Sequence, residues 1–176
     1  MIDFREGGFQ AICGTSDFGV ISSRATVSST FDGDGKAAPS QAERDAAKLT
    51  YDLFIDRIVN YIGAYVFKIL GSPSGTSSSG PENQSPPSLD GIVLSGGIGE
   101  KGKQLRKDLG AYFAWLGCKV DDAHNEAVGT ERDEDGKEKV VYEISTEDSR
   151  MKLFVCMTVS SSRSYIRLFT LVDLLS

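Results

Sequence analysis

The chain has 176 residues, 40% hydrophobic and 25% charged, with a formal net charge of −6: enough for one domain with a real core, and the wrong sign for a nucleic-acid binder, which carries a basic face. No apolar run approaches the roughly eighteen residues that cross a bilayer, and the first residues, MIDFREGGF, lack a basic-then-apolar leader. Cys13, Cys118 and Cys156 stand apart from one another and from the one histidine, His124, so a Cys/His metal centre is not expected and the reading is a reduced, cytoplasmic protein.

In chain order, Phe9, Ala11 and Ile12 read as a short strand before Gly14, and Asp17 as a turn former that bonds its own backbone. Ser22 to Ser40 is polar, with Gly33, Gly35 and Pro39, and reads as a loop. It ends in Ser40-Gln41-Ala42-Glu43, the spacing of a capping box. A helix is predicted from about Gln41 to Leu70, with Gly71 as its stop. Tyr51, Phe54, Ile55, Ile58, Ile62, Tyr65, Val66 and Ile69 recur at three and four and predict one broad buried stripe, with Tyr61 and Tyr65 at the core's edge. Gly71 to Ser88 is Gly/Ser/Pro-rich and is expected to be a flexible surface insertion joining that helix to a strand.

The next stretch organises the rest. Ile92, Val93 and Leu94 predict a strand, Ser95-Gly96-Gly97-Ile98-Gly99-Glu100 a glycine turn, and a helix starts near Lys101 with Leu105, Leu109, Phe113 and Leu116 on one face. Glycines there permit positive φ and close approach, and a helix N-terminus favours an anion. The dinucleotide pattern G-x-G-x-x-G and the P-loop ending G-K-[ST] are both absent, so from these residues alone a plain strand-to-helix turn and an anion site both stand. Gly117 closes the helix, and Cys118 to Val120 read as a short strand. His124 reads as surface, and Thr130 to Lys139 as a solvated charge run. Val140–Ser145 and Met151–Met157 read as strands, with Asp148 and Arg150 a turn-stabilising pair between them. The alternation of strands and helices places the chain in the α/β class.

Four blocks resemble the acetate kinase family, fungal-type members included: GGFQAICGTSDFGVI (Gly7 to Ile21), Ala42 to Gly71, Gly91 to Ala127 and VYEISTEDSRMKLFVC (Val141 to Cys156). The third is the most specific, with GGIGE followed by R-x-x-L-x-x-x-F-x-x-L-G from Arg106 to Gly117. The resemblance implies one lobe of the actin-like, sugar-kinase-like ATPase superfamily, a mixed sheet with flanking helices, over residues 1–157; residues 158–176 depart from it. It implies the reaction of ATP and acetate to ADP and acetyl phosphate, with magnesium, in a homodimeric enzyme whose partners are nucleotide and a small carboxylate.

By that resemblance Asp17, Phe18 and Gly19 border the base and ribose, and Gly96, Gly97, Ile98, Gly99, Glu100 and Lys101 line the nucleotide. Gly19 stands where many members have arginine, and Lys101 where asparagine is common. The family's acetate pocket, transition-state arginines, catalytic aspartate and histidine correspond to sequence upstream of Gly7, so no catalytic residue is assigned here. The family's P-T-[ND]-E-E turn, whose glutamate serves magnesium, is replaced by Thr158-Val159-Ser160, so no metal ligand is assigned either. Two alternatives stay open: a non-enzymatic remnant of the nucleotide-binding lobe, and a relative using pyrophosphate or another short-chain carboxylate.

Overall fold

A computed structural model describes residues 8–26, 38–71, 89–133 and 135–158. The insertion read at 71–88 lies outside these beyond its first residue, as does the divergent tail beyond Thr158.

Helix α1 spans Phe9–Cys13 and α2 Phe18–Thr26. Both correct the sequence reading, which expected a strand at Phe9 to Ile12 and a loop from Ser22. A five-residue apolar stretch does not distinguish the two periods, and here Gly14 closes a helical turn in the left-handed conformation, φ 70°, its N–H donating to the Gln10 carbonyl. In α2 the Asp17 carboxylate accepts from the N–H groups of Gly19 and Val20, at 2.8 and 3.3 Å. That is an N-cap, and it carries the helix through Ser22 and Ser23.

Helix α3, Gln41–Gly71, starts at the expected box. The Ser40 N–H donates to the Glu43 carboxylate at 2.8 Å and the Glu43 N–H to the Ser40 hydroxyl at 3.3 Å. Tyr51, Ile55 and Val66 of the expected stripe are buried, but Tyr65 and Ile69 are 62% and 48% exposed, and Tyr61, expected at the core's edge, is 64% exposed. Periodicity tells which residues share a face; it does not supply an element to lie on it. Among the described residues, the elements packed most extensively on α3 are α1, α2 and α5. Phe18 stacks on Tyr51 at 5.7 Å between centroids and meets Phe54 at 4.7 Å.

Strand β1 (Gly91–Ser95) leads into α4 (Gly96–Lys101), α5 (Lys103–Tyr112), a 3-10 turn (Ala114–Leu116) and α6 (Asp122–Ala127), and then β2 (Val141–Glu143) and β3 (Lys152–Cys156). The sheet order is β1-β3-β2. β3 runs parallel to β1, with Val93 opposite Phe154, and antiparallel to β2, with Tyr142 opposite Val155. Two of the three strands fall within the predicted Val140–Ser145 and Met151–Met157. Cys118 to Val120 is not a full strand; Val120 makes a single bridge to Ser145. Gly117, φ 90°, turns the chain after the 3-10 segment. Leu153 and Val155 on β3 pack with Leu105 and Leu109 on α5 in the same core as Tyr51 and Ile55.

One bond ties α3 to α5: the Tyr51 hydroxyl donates to the Asp108 carboxylate at 2.6 Å. Burial first, and then that carboxylate, push the Tyr51 phenol well above the ordinary tyrosine range. The folded protein therefore keeps a proton that the unfolded chain gives up near pH 10. This contribution is complete below about pH 10 and is lost as pH rises beyond it. Tyr51→Phe is expected to cost about 1 kcal/mol at pH 7 and to fall less steeply than wild type between about pH 10 and 11 in urea denaturation. Identical alkaline slopes contradict the assignment.

Candidate nucleotide-binding turn

β1 and β3 are parallel neighbours, so their carboxyl ends, Ser95 and Cys156, lie side by side. In open α/β sheets the crevice outside such ends is where ligands settle. What stands there is not the expected irregular turn. Gly96-Gly97-Ile98-Gly99-Glu100-Lys101 is itself a short helix, beginning with Gly96 at φ 75°. The helical start is therefore Gly96 rather than the neighbourhood of Lys101, and α5 begins after a break at Gly102.

The glycines have different reasons. Among the described residues, a Cβ on Gly97 meets nothing within 4 Å, so the space beside it is open. Gly99 would make only ordinary contact, at 3.5 Å, with Leu94. A Cβ on Gly102 would lie 2.6 Å from the Ile98 carbonyl oxygen, which excludes side chains at the break. Lys101, the last residue of α4, is exposed.

Two sets of contacts hold the far end of α4. The Glu100 carboxylate accepts from the Thr158 N–H at 2.7 Å and from the Thr158 hydroxyl, joining the turn to the end of β3. Glu100 is thus a structural acceptor in the last turn of α4. Arg106, fully buried, reaches back from α5: one terminal nitrogen donates to the Gly99 and Glu100 carbonyls at 3.0 and 2.6 Å. Its Nε donates to Asn125 Oδ1 at 2.6 Å and the other terminal nitrogen to the Asn125 carbonyl at 2.8 Å. Burial pulls its pKa down, with Glu126 opposing. Asn125 donates in turn to the Lys103 carbonyl at 3.1 Å. Sequence reasoning noted Arg106 only as part of a motif. Its signal was its place on the apolar face of α5, between Leu105 and Leu109.

Of the other sequence-predicted residues, Asp17 is an exposed helix cap, Gly19 lies in the first turn of α2, and the Phe18 ring is 7% exposed within the aromatic cluster. Asp148 pairs with Lys119, not Arg150, and accepts from the Thr146 hydroxyl at 2.7 Å. The buried Ser149 hydroxyl accepts from the Lys119 N–H at 3.0 Å and lies 2.7 Å from the Met151 carbonyl. Burial, and then Glu100, push the Cys156 thiol up, which makes it a poor nucleophile. His124 is exposed, as expected. Among the described residues no group of three or more His, Cys, Asp or Glu is placed to hold a metal ion, and no helix is long and apolar enough to cross a membrane.

The acetokinase family model matches residues 25–162. A probable acetate kinase of Cryptococcus neoformans var. neoformans serotype D is 36% identical over 121 residues, 69% of this chain and 24% of that protein. The acetate kinase of Enterococcus faecalis is 33% identical over 119 residues, 68% of this chain and 23% of that protein. The match therefore spans about a quarter of these relatives' length. The crystal structure of acetate kinase from Entamoeba histolytica superposes with a TM-score of 0.59 at 18% identity, covering 88% of this chain and 31% of that one. A propionate kinase from Francisella tularensis gives 0.55 at 22%, covering 88% and 28%. These structures establish that the chain shares the fold of the matched part of the acetate and propionate kinases. The matched motif, the order of its blocks and the helix that follows them agree: this chain belongs to the acetokinase family.

Proposed function

We propose that this chain carries the nucleotide side of a phosphotransferase that interconverts ATP plus acetate and ADP plus acetyl phosphate, in a cytoplasmic homodimer, and that the 176-residue chain does not transfer phosphate alone. The observation that carries the nucleotide reading is the open space at Gly97, at the carboxyl end of a parallel strand pair. Backbone N–H groups of Gly96 and Gly97, with the exposed Lys101 ammonium, meet the phosphates there. Phosphoryl transfer depends mainly on positioning and charge neutralisation, and these residues serve the first. Asp17, Phe18 and Gly19 would stand on the base side only by the resemblance: the Gly19 N–H is taken by the Asp17 carboxylate and the Phe18 ring by the core.

Magnesium fits this turn poorly as a protein-held ion. A magnesium site uses one or two carboxylates beside the phosphates, and the carboxylate that α4 itself carries, Glu100, is already engaged by Thr158. Calorimetric titration of the full chain with magnesium-ATP and with magnesium-pyrophosphate tests the reading. ATP binding without turnover in an acetate-dependent coupled assay is expected; acetate-dependent turnover by this chain alone contradicts the second half. Pyrophosphate bound in preference to ATP supports the other donor, which the use of Asp17 and Phe18 as cap and core residue favours.

A further inference from the structure

We propose that Arg106 is a positioning residue for the nucleotide turn, fixing where Gly96 and Gly97 present their backbone; this rests on the nucleotide reading above. Arg106 is 0% exposed, yet all four of its hydrogen bonds go to neutral oxygens, two on Asn125 and two on the last turn of α4. A buried charge with neutral acceptors is a poor device for stability, and an apolar side chain of similar volume commonly serves the fold as well. What methionine cannot do is donate to the carbonyls of Gly99 and Glu100.

Those carbonyls belong to a helix half of whose residues are glycine, the residue type with the least helical preference short of proline. α4 is six residues long, and its N-cap residue Ser95 makes no side-chain capping bond. Its shape is therefore set from its far end. Arg106 holds the main-chain oxygens there, while the Glu100 side chain grips Thr158, two residues past the end of β3. The Gly102 N–H donates to Ile98 O at 2.8 Å and the Arg106 N–H to Gly102 O at 3.0 Å, so the break between α4 and α5 lies inside the loop that the guanidinium closes. Asn125 anchors the guanidinium from α6 and the Lys103 carbonyl as well. A shift of Arg106 moves Gly99 and Glu100, and through them the glycines at the mouth of the β1–β3 crevice.

The test uses the full chain. Arg106→Met, Arg106→Lys and, as a destabilising control on the same helix, Leu109→Val are compared with wild type by magnesium-ATP affinity, thermal midpoint and hydrogen exchange at the Gly102 amide. Arg106→Met is expected to unfold cooperatively, to bind magnesium-ATP at least about tenfold more weakly, and to exchange Gly102 at least about tenfold faster. Arg106→Lys keeps the charge but not the fork and is expected to share both defects. Leu109→Val is expected to lower the midpoint with the affinity of the folded protein unchanged. Wild-type affinity and wild-type Gly102 exchange in a folded Arg106→Met overturn the proposal; should that variant not fold, the same two readings on Arg106→Lys decide it. Wild type that fails to bind magnesium-ATP removes the nucleotide reading, and Gly102 exchange still decides whether Arg106 sets the turn.

Discussion

Leu153→Ala is expected to destabilise the protein by about 2–5 kcal/mol, the range for leucine truncations at fully buried positions. Leu153 is 0% exposed on β3, the middle strand, which carries both the parallel partner β1 and the antiparallel partner β2. Its side chain also faces α5: a Cβ on Gly110 would stand 4.0 Å from Leu153 Cδ2. Alanine removes three heavy atoms from a site enclosed by backbone on two sides, where a strand cannot collapse inward without breaking its register, so the cavity term is expected to be near its upper range. Urea denaturation read by circular dichroism and by fluorescence of Trp115 measures it. A loss below about 1 kcal/mol contradicts the placement of Leu153 at the centre of the sheet.

The second large effect comes from adding atoms. A Cβ on Gly110 would lie 2.2 Å from Val120 Cγ2 and 3.5 Å from Val120 Cβ. Val120 is β-branched, with a stiff χ1, and its backbone is bridged to Ser145, so it has little room to turn away. Gly110→Ala is expected to cost about 1–3 kcal/mol despite the better helix propensity of alanine. The double variant with Val120→Ala tests the cause. Relief of the clash predicts that it costs less than the sum of the single changes by about 1 kcal/mol or more. Strict additivity contradicts a direct contact between the two residues.

Both positions show what periodicity conveys and what it omits. The α5 face was legible from Leu105, Leu109 and Phe113, and the same helical spacing places Arg106 and Gly110 beside them. A charged residue and a glycine were not read as core because each has an ordinary surface role; only the backbone acceptors of α4 and the approach of Val120 explain them. The capping box at Ser40 and the strands at Val141 and Lys152 were legible because local signals and tertiary packing agree there. At Phe9 to Cys13 the apolar run was too short to choose a period. At Ser22 to Thr26 the polar composition hid a helix whose signal was its cap, Asp17. At Gly96 to Lys101 glycine propensity argued against helix, and contacts from Arg106 and Thr158 outweigh it. The family motif marked this turn as the centre of interest without saying what shapes it.

Gly97 allows the most direct test of the proposed nucleotide site, because a Cβ there meets no atom within 4 Å among the described residues, so a side chain would enter the space proposed for the ligand at little cost to the fold. Thermal unfolding of the full chain is measured with and without magnesium-ATP, in wild type and in Gly97→Val. At ligand about a hundredfold above Kd the wild-type midpoint is expected to rise by roughly 5–10 °C, while Gly97→Val keeps an unliganded midpoint within a few degrees of wild type and loses the rise. A cooperative wild-type transition that magnesium-ATP does not move, or an equal rise in Gly97→Val, contradicts the assignment of this turn to the nucleotide.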